Sequence, residues 1–133
     1  MIVQAQANKI LNRYFGNTSD TVSSNLYIGL STTPINPDGT GATEPSGGGY
    51  ARITVANNKT SFTVATNGIL YNAIDLQFPE STASWGTIGY IFISDTVGGT
   101  PIYADALTAP RSVQAQSVLL FATNAIQIKM TSV

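Results

Sequence analysis

The segment Trp85-Gly-Thr-Ile-Gly-Tyr-Ile-Phe-Ile-Ser94 is the one around which the predicted fold is built. When its residues are divided by parity, both halves are apolar, and the larger side chains are β-branched or aromatic, as in strands. A strand that is apolar on both faces is predicted to lie inside a sheet rather than at its edge. We therefore expect Trp85 to be buried. Gly86 and Gly89 indicate a bend in this strand or the close approach of another layer.

Shorter strand patterns surround this segment and are separated by turn-forming residues, of which Asn67-Gly68 is the strongest two-residue hairpin signal. No helical pattern lies between them, which excludes parallel βαβ units. The pattern predicts one domain, residues 1–133, with an all-β, antiparallel β-sandwich or jelly-roll-like fold and a short N-terminal α-helix. The predicted strands cover residues 25–30, 52–55, 61–64, 69–71, 74–78, 85–94, 102–107, 111–121 and 126–131.

The first 16 residues have a helical period. One apolar stripe is formed by Val3, Ala7, Ile10, Leu11 and Tyr14, with polar residues between them, and Gly16 is well placed to end the helix. Two alternatives follow for this helix. It packs against its own domain, or it docks partly on a partner, in which case Ile2 is also a candidate partner contact.

Residues 31–49 form a long segment rich in Gly and Pro, with almost no apolar side chains. A segment of this length without a regular element is unusual in a compact domain unless the loop is functional or disordered. We expect the loop to be mobile in the free protein and to be ordered by a neighbouring subunit. The candidate partner contacts are Pro34, Ile35 and Pro37, together with Tyr50 and Arg52, which are predicted to fix the base of the loop.

Composition limits the classes of function. Charged residues make up 10% of the chain, with a formal net charge of −1. A basic patch is lacking, so no nucleic-acid partner is expected. Such sparse charge fits a surface that is covered by neighbouring subunits. No apolar run has the length of a signal peptide or of a membrane span, so we expect a soluble protein without a membrane partner.

The residues that common catalytic mechanisms require are missing from the sequence, which argues against an enzyme. The chain has neither His nor Cys, which removes the commonest general base and the usual zinc ligands. Asp75 and Glu80 are the only carboxylates close enough to suggest a glycosidase pair, but Asp75 is predicted to point outward from a strand and Glu80 follows Pro79. Asp38 lacks the further carboxylates of a calcium loop. We expect no enzyme activity, no catalytic residue, no metal site and no cofactor.

Three segments together carry a resemblance to a known family. They are Leu26-Tyr-Ile-Gly-Leu-Ser-Thr-Thr33, then Glu44-Pro-Ser-Gly-Gly-Gly-Tyr-Ala-Arg52, and then Phe78-Pro79 followed by Ala83-Ser-Trp-Gly-Thr-Ile88. In this order they resemble small virion proteins of tailed bacteriophages, which are tail-fibre-like or capsid-associated. With the N-terminal helix, the resemblance covers nearly the whole chain. It implies a β-rich structural subunit without catalysis, assembled in the host cytoplasm and located in the virion.

Three hypotheses for its role follow. The first is a capsid cement or decoration protein, bound as a trimer over junctions between major capsid subunits. The second is a tail, baseplate or fibre-attachment subunit. Both imply partnership with copies of itself and with the major capsid protein or tail proteins. The third is a carbohydrate-binding module that uses Tyr27, Tyr50, Tyr71 or Trp85 as a stacking platform.

Overall fold

The computed structural model of the chain describes residues 1–130, so that Thr131, the last residue of the predicted C-terminal strand, lies outside them. Its strand pairs are all antiparallel, and this confirms the predicted all-β sandwich-like fold with a short N-terminal helix. The finer jelly-roll topology stays a prediction. The elements are α1 (Gln4–Gly16), β1 (Asn25–Ser31), β2 (Ile53–Ala56), β3 (Ile69–Tyr71), β4 (Leu76–Gln77), β5 (Gly86–Ser94), β6 (Tyr103–Val113), β7 (Leu120–Phe121) and β8 (Gln127–Lys129).

The main sheet has four strands in the order β2-β1-β5-β6, which places β5 between β1 and β6. The interior position predicted for this strand is therefore confirmed. Trp85, directly before β5, is 4% exposed, which confirms that it is buried. One face of the sheet packs on the two-stranded sheets β3-β8 and β4-β7, and the core between them contains Ile28, Leu76 and Phe121.

A β-bulge in β5 changes which residues share a face. The register with β6 shifts between Ile88 and Tyr90, so Ile88 joins Ile91 and Ile93 in the core although their parity differs. The bulge surrounds Gly89 and confirms the predicted bend there. It also leaves Phe92 on the opposite face, outside the core cluster, where the Arg52 guanidinium carbon lies 4.9 Å from the centre of its ring.

The other alternative given for Gly86 and Gly89, the close approach of another layer, is not found at either glycine. A Cβ atom added to Gly86 or Gly89 would meet no other atom within 4 Å. The close approach occurs instead at Gly29 in β1, where a Cβ would overlap the Phe92 ring. Gly29 and Phe92 are paired across β1 and β5, so the ring needs the space that the missing side chain leaves.

The predicted strand over residues 111–121 is wrong. Strand β6 ends at Val113, and the chain then turns through Gln116, which has a φ of 61°. The turn is held from outside by Ser81, whose backbone N–H donates to Ser117 O at 2.9 Å and whose carbonyl accepts from Gln116 N at 2.7 Å. Pro110 lies within β6, which is tolerated because β6 is the edge of its sheet.

Residues 61–64 do not form a strand either. Only an isolated bridge joins Phe62 to Asn72, and Val64 is 74% exposed. By contrast, the turn predicted at Asn67-Gly68 is present, with Thr66 and Ile69 exchanging both backbone hydrogen bonds at 2.9 and 3.1 Å.

Candidate partner interface

The N-terminal segment, residues 1–3, adds a short piece of strand to the free edge of β6. Ala104 N donates to Met1 O at 2.9 Å, and Val3 N donates to Ile102 O at 3.0 Å. The Met1 ammonium donates to Ala104 O at 2.8 Å, and Ile2 forms an antiparallel bridge with Tyr103. Because Val3 is 2% exposed, this segment is firmly attached to the body of the protein.

Helix α1 follows this anchor but contributes no buried residue of its own. In its first half, Ala7 and Ile10 are half-buried against the body. In its second half the apolar side chains are in solvent, with Leu11 54% exposed, Tyr14 73% and Phe15 86%. The helix therefore packs on its own domain only near its start. Its C-terminal end, which we call the helix tip (Tyr14 and Phe15), has the exposed apolar surface that the partner-docking alternative requires.

The helix becomes irregular at its tip, because Phe15 has a φ of −122° and a ψ of 20°, which are not helical. Asn17 ends the helix in the left-handed conformation, with a φ of 52°, and its N–H donates to Asn12 O. Arg13 Nη1 lies 2.7 Å from Asp20 Oδ1, which ties the last turn of the helix to the connection that follows. These contacts fix the backbone at the helix end, whereas ordering the two exposed aromatic side chains in a contact still costs side-chain entropy.

An apolar groove lies beside the first half of α1. We call this cavity of about 310 Å³ the helix groove. Its walls include Ile2 and Ile10 from the N-terminal region and Leu26, Phe62 and Ile102 from the body, with Lys59 at its polar side. The predicted partner contact Ile2 therefore lies in a surface recess and not on a flat face.

The long loop is anchored to its own domain, contrary to the reasoning from its composition. Gln4 N donates to Pro37 O at 2.9 Å and Thr82 N donates to Gly48 O at 2.9 Å, and Thr43 N donates at 2.9 Å to Oγ of Ser31, the last residue of β1. Backbone and hydroxyl hydrogen bonds therefore hold the loop, although it has almost no apolar side chains that could do so. Its predicted mobility and its ordering by a neighbour stay predictions.

The base of the loop is a hydrogen-bond network around Glu44. Arg52 Nε and Nη2 donate to its two carboxylate oxygens at 2.9 and 3.0 Å, and the Tyr50 hydroxyl donates to Oε1 at 2.7 Å. The same hydroxyl accepts from Leu30 N at 3.0 Å, which links the network to β1. Farther along the loop, Trp85 Nε1 donates to Gly48 O at 2.8 Å.

The structure divides the six predicted partner contacts into two groups. Pro34 and Ile35 border a crevice of about 180 Å³ together with Met1, and Pro37 O accepts from Gln4 N, so these loop residues lie around the same N-terminal segment as Ile2. Tyr50 and Arg52, in contrast, have their polar groups engaged within the chain. The role of all six toward a partner stays a prediction.

Sequence reasoning missed Phe15. It lies outside the apolar stripe, and the sequence feature that marks it is the aromatic pair Tyr14-Phe15 directly before Gly16. Two adjacent aromatic residues on a helix point in different directions, so both cannot pack on one face. That signal could have identified the helix tip.

The loop base makes the free energy of unfolding depend on pH in the acid range. Burial opposes the ionisation of Glu44, but hydrogen bonds from Arg52 and Tyr50 outweigh burial and lower the pKa of this carboxyl. A carboxyl with a lowered folded-state pKa stabilises the fold above its unfolded-state value of about 4.3, and this stabilisation is lost as pH falls through the folded-state value.

We therefore expect the free energy of unfolding of Glu44→Gln to fall less steeply with decreasing pH below about 4.3 than that of the unmodified protein. Chemical denaturation across the acid range measures this slope. Glu80→Gln is the control, because Glu80 is exposed at a surface position. If the unfolding free energy of the unmodified protein and of Glu44→Gln falls equally steeply with decreasing pH, the loop base is not the cause of the acid sensitivity.

The surroundings of Trp85 and Asp75 argue against the sugar-binding and glycosidase sites considered from the sequence. Trp85 is buried and cannot serve as a stacking platform for a sugar. Asp75 Oδ1 accepts from Thr123 N at 2.8 Å, so this carboxylate has a structural role. Within residues 1–130, no group of three His, Cys, Asp or Glu side chains is placed to hold a metal ion. The helix in this part of the chain is too short and too polar to cross a membrane.

The chain is similar to a known protein family over nearly its whole length. A family model described as Gp80, podophage GP4 fiber I protein gp80, matches residues 2–129. No curated protein matches the chain significantly. The family match spans the helix and all eight strands, so it includes every element that forms the helix tip, the helix groove and the loop base.

Proposed function

The chain belongs to the podophage GP4 fiber I protein gp80 family, and from this membership we propose that it is a fibre subunit in the tail of a tailed-bacteriophage particle. Membership makes it a virion structural protein that is tail-fibre-like. In this role its partners are other tail proteins and copies of itself, and it is assembled into the particle in the host cytoplasm.

The observation that carries an assembly role is the exposed helix tip. Tyr14 and Phe15 are 73% and 86% exposed, although the sandwich behind them has a complete core of its own. Apolar groups concentrated on one projecting element are typical of protein interaction sites, where aromatic residues are enriched. A single domain over residues 1–133 fits this proposal, because one core cluster includes residues from Ile28 to Phe121.

Absence of catalysis is part of the proposal. The chain lacks His and Cys, and the hydrogen bonds of Asp75 and Glu44 are made to neighbouring residues of the fold. A contribution to the particle through contacts alone accounts for these features without a cofactor or a metal.

Capsid decoration is the second candidate. In that case the protein binds as a trimer over junctions between major capsid subunits. A compact sandwich without a fibrous repeat favours this role, because many identical copies of such a domain can cover a shell. The family is described as a fiber protein, which favours the fibre, and we therefore place the capsid role second.

Stoichiometry and position in purified particles separate the two candidates. Quantitative mass spectrometry of virions, with the major capsid protein as internal standard, is expected to give far fewer copies of this chain than of the capsid protein. Gold-labelled antibody is expected at the tail. A copy number comparable with that of the capsid protein, with label over the whole shell, would reject the fibre role in favour of decoration.

A further inference from the structure

We propose that a polar cleft in the side of the sandwich binds an acidic sugar, that is, a saccharide that carries a carboxylate. We call it the bulge cleft. It has a volume of about 410 Å³ and lies between β6 of the main sheet and residues 121–129 of the other layer. The inference does not rest on the proposed function, because it uses only the shape and the side chains of this cleft.

The cleft is associated with an irregularity in the pairing of β6 with β5. Residues 107–110 of β6 lie opposite Gly89 alone, and Leu107, Thr108 and Ala109 from this bulge line the cleft. Bulges of this kind redirect side chains and are frequent next to active sites. The bulge therefore places part of β6 at the cleft instead of in a regular ladder.

The bulge cleft has the size and the mixed lining of a small-ligand site. Ile91 and Phe121, which are buried, form its apolar floor, and Asp105, Gln127 and Lys129 are polar groups in its walls. Ligand sites usually have volumes of about 300–1,000 Å³ and combine apolar walls with a few convergent polar groups. Because a cavity of about 150 Å³ holds one benzene molecule, the cleft has room for roughly two six-membered rings.

One end of the cleft is suited to a carboxylate. The Arg111 guanidinium carbon lies 4.9 Å from the centre of the Phe121 ring, and its Nη1 donates to Leu120 O at 3.3 Å. These contacts orient the guanidinium and leave further N–H donors, since the group has five. In the part of the chain that the structure describes, the ion pairs are made by Arg13 and Arg52. Arg111 is therefore available to bind a carboxylate through two parallel N–H groups.

The other end of the cleft is suited to hydroxyl groups. The Tyr103 hydroxyl lies 3.4 Å from Asp105 Oδ2 and accepts from Lys129 N at 3.3 Å, which places these residues together. Gln127 Nε2 donates to the Tyr71 hydroxyl at 3.2 Å, and its Oε1 is an acceptor. Hydroxyl groups both donate and accept hydrogen bonds. An end that combines a carboxylate, an amide oxygen and an ammonium group can therefore satisfy several of them.

The charges of the cleft select an acidic ligand and orient it. Two cations, Arg111 and Lys129, and one carboxylate, Asp105, leave one net positive charge on its walls. Lys129 offsets Asp105 at one end, so the remaining positive charge is at Arg111. The ligand carboxylate is therefore expected at Arg111 and the hydroxyl groups at Asp105. A neutral sugar lacks the first contact, and a simple carboxylate lacks the second.

Titration of the isotope-labelled full chain with D-glucuronate, followed by NMR chemical shifts, tests the proposal. We expect saturable shifts at Thr108, Arg111 and Gln127. Glucose and acetate each carry one half of the required chemistry and are expected to bind about 10-fold more weakly or less, because each forgoes hydrogen bonds to charged groups. Arg111→Gln is expected to weaken glucuronate binding by about 10-fold or more, with an unchanged melting temperature, since Arg111 is exposed. Lys9→Gln, which removes an exposed cation on α1, is the control and should bind normally.

A second pair of variants separates charge from volume. Ala109 is exposed on the bulge, and Ala109→Glu and Ala109→Gln add side chains of nearly equal size at the cleft. Glu is expected to weaken glucuronate binding more than Gln does, because its charge repels the ligand. The proposal is overturned if glucuronate gives no saturable shifts, if glucose or acetate binds as tightly, if Arg111→Gln binds like the unmodified protein, or if the two Ala109 variants bind equally.

Discussion

Replacing Trp85 with Ala is expected to lower the free energy of unfolding by about 3–5 kcal/mol, the range for removing a large aromatic side chain from a core. The Trp85 side chain packs edge-on against Tyr50, with ring centroids 5.4 Å apart. Its Nε1 also donates to Gly48 O, so the variant loses packing and leaves a loop carbonyl without its donor. Urea denaturation followed by circular dichroism measures the loss, because the variant has no tryptophan to report by fluorescence.

Two variants separate the contributions to this loss. Trp85→Phe keeps an aromatic ring but lacks the N–H donor, and is expected to cost less than Trp85→Ala. Val97→Ala removes methyl groups from a side chain that is 80% exposed and should change stability by less than about 0.5 kcal/mol. A loss for Trp85→Ala as small as that for Val97→Ala would show that the indole is not part of the core.

Replacing Arg52 with Ala is expected to cost about 2–3 kcal/mol, somewhat below the range for breaking a fully buried ion pair, because solvent partly screens this pair. The Arg52 side chain is 16% exposed and its Glu44 partner 30%. Besides Glu44, the guanidinium Nη1 donates to Ser94 Oγ at 2.8 Å and to Gly99 O at 2.9 Å. Equilibrium denaturation at neutral pH gives the change in unfolding free energy.

Arg52→Lys tests whether the planar guanidinium or only its charge is required. An ammonium group cannot contact both oxygens of Glu44 while covering the Phe92 ring, so most of the loss is expected to remain. Arg13→Ala is the matched surface control. It breaks the pair with Asp20, whose exposed position predicts a cost of about 0–1 kcal/mol. If Arg52→Ala costs no more than Arg13→Ala, the loop base does not stabilise the fold.

Local sequence pattern was sufficient for part of this structure. The interior strand and its buried Trp85 follow from an apolar run on both faces, because such a run is stable only when covered on both sides. The Asn67-Gly68 turn follows from the backbone conformations that these residues tolerate, and both have a positive φ, 56° and 75°. The helix follows from its apolar period. Each of these features depends on residues that are close together in the sequence.

The remaining features depend on residues that are distant in the sequence. Strand β6 ends where Ser81 binds the following turn, and Gly29 is required by a ring on the neighbouring strand. The loop is held by pairs of hydrogen-bonding groups whose partners its composition does not reveal. The helix groove also forms only after the body is folded, because Ile2, Leu26, Phe62 and Ile102 come together from separate segments. Local pattern therefore predicts which elements form, whereas the exposed tip and its groove are a consequence of how the elements pack.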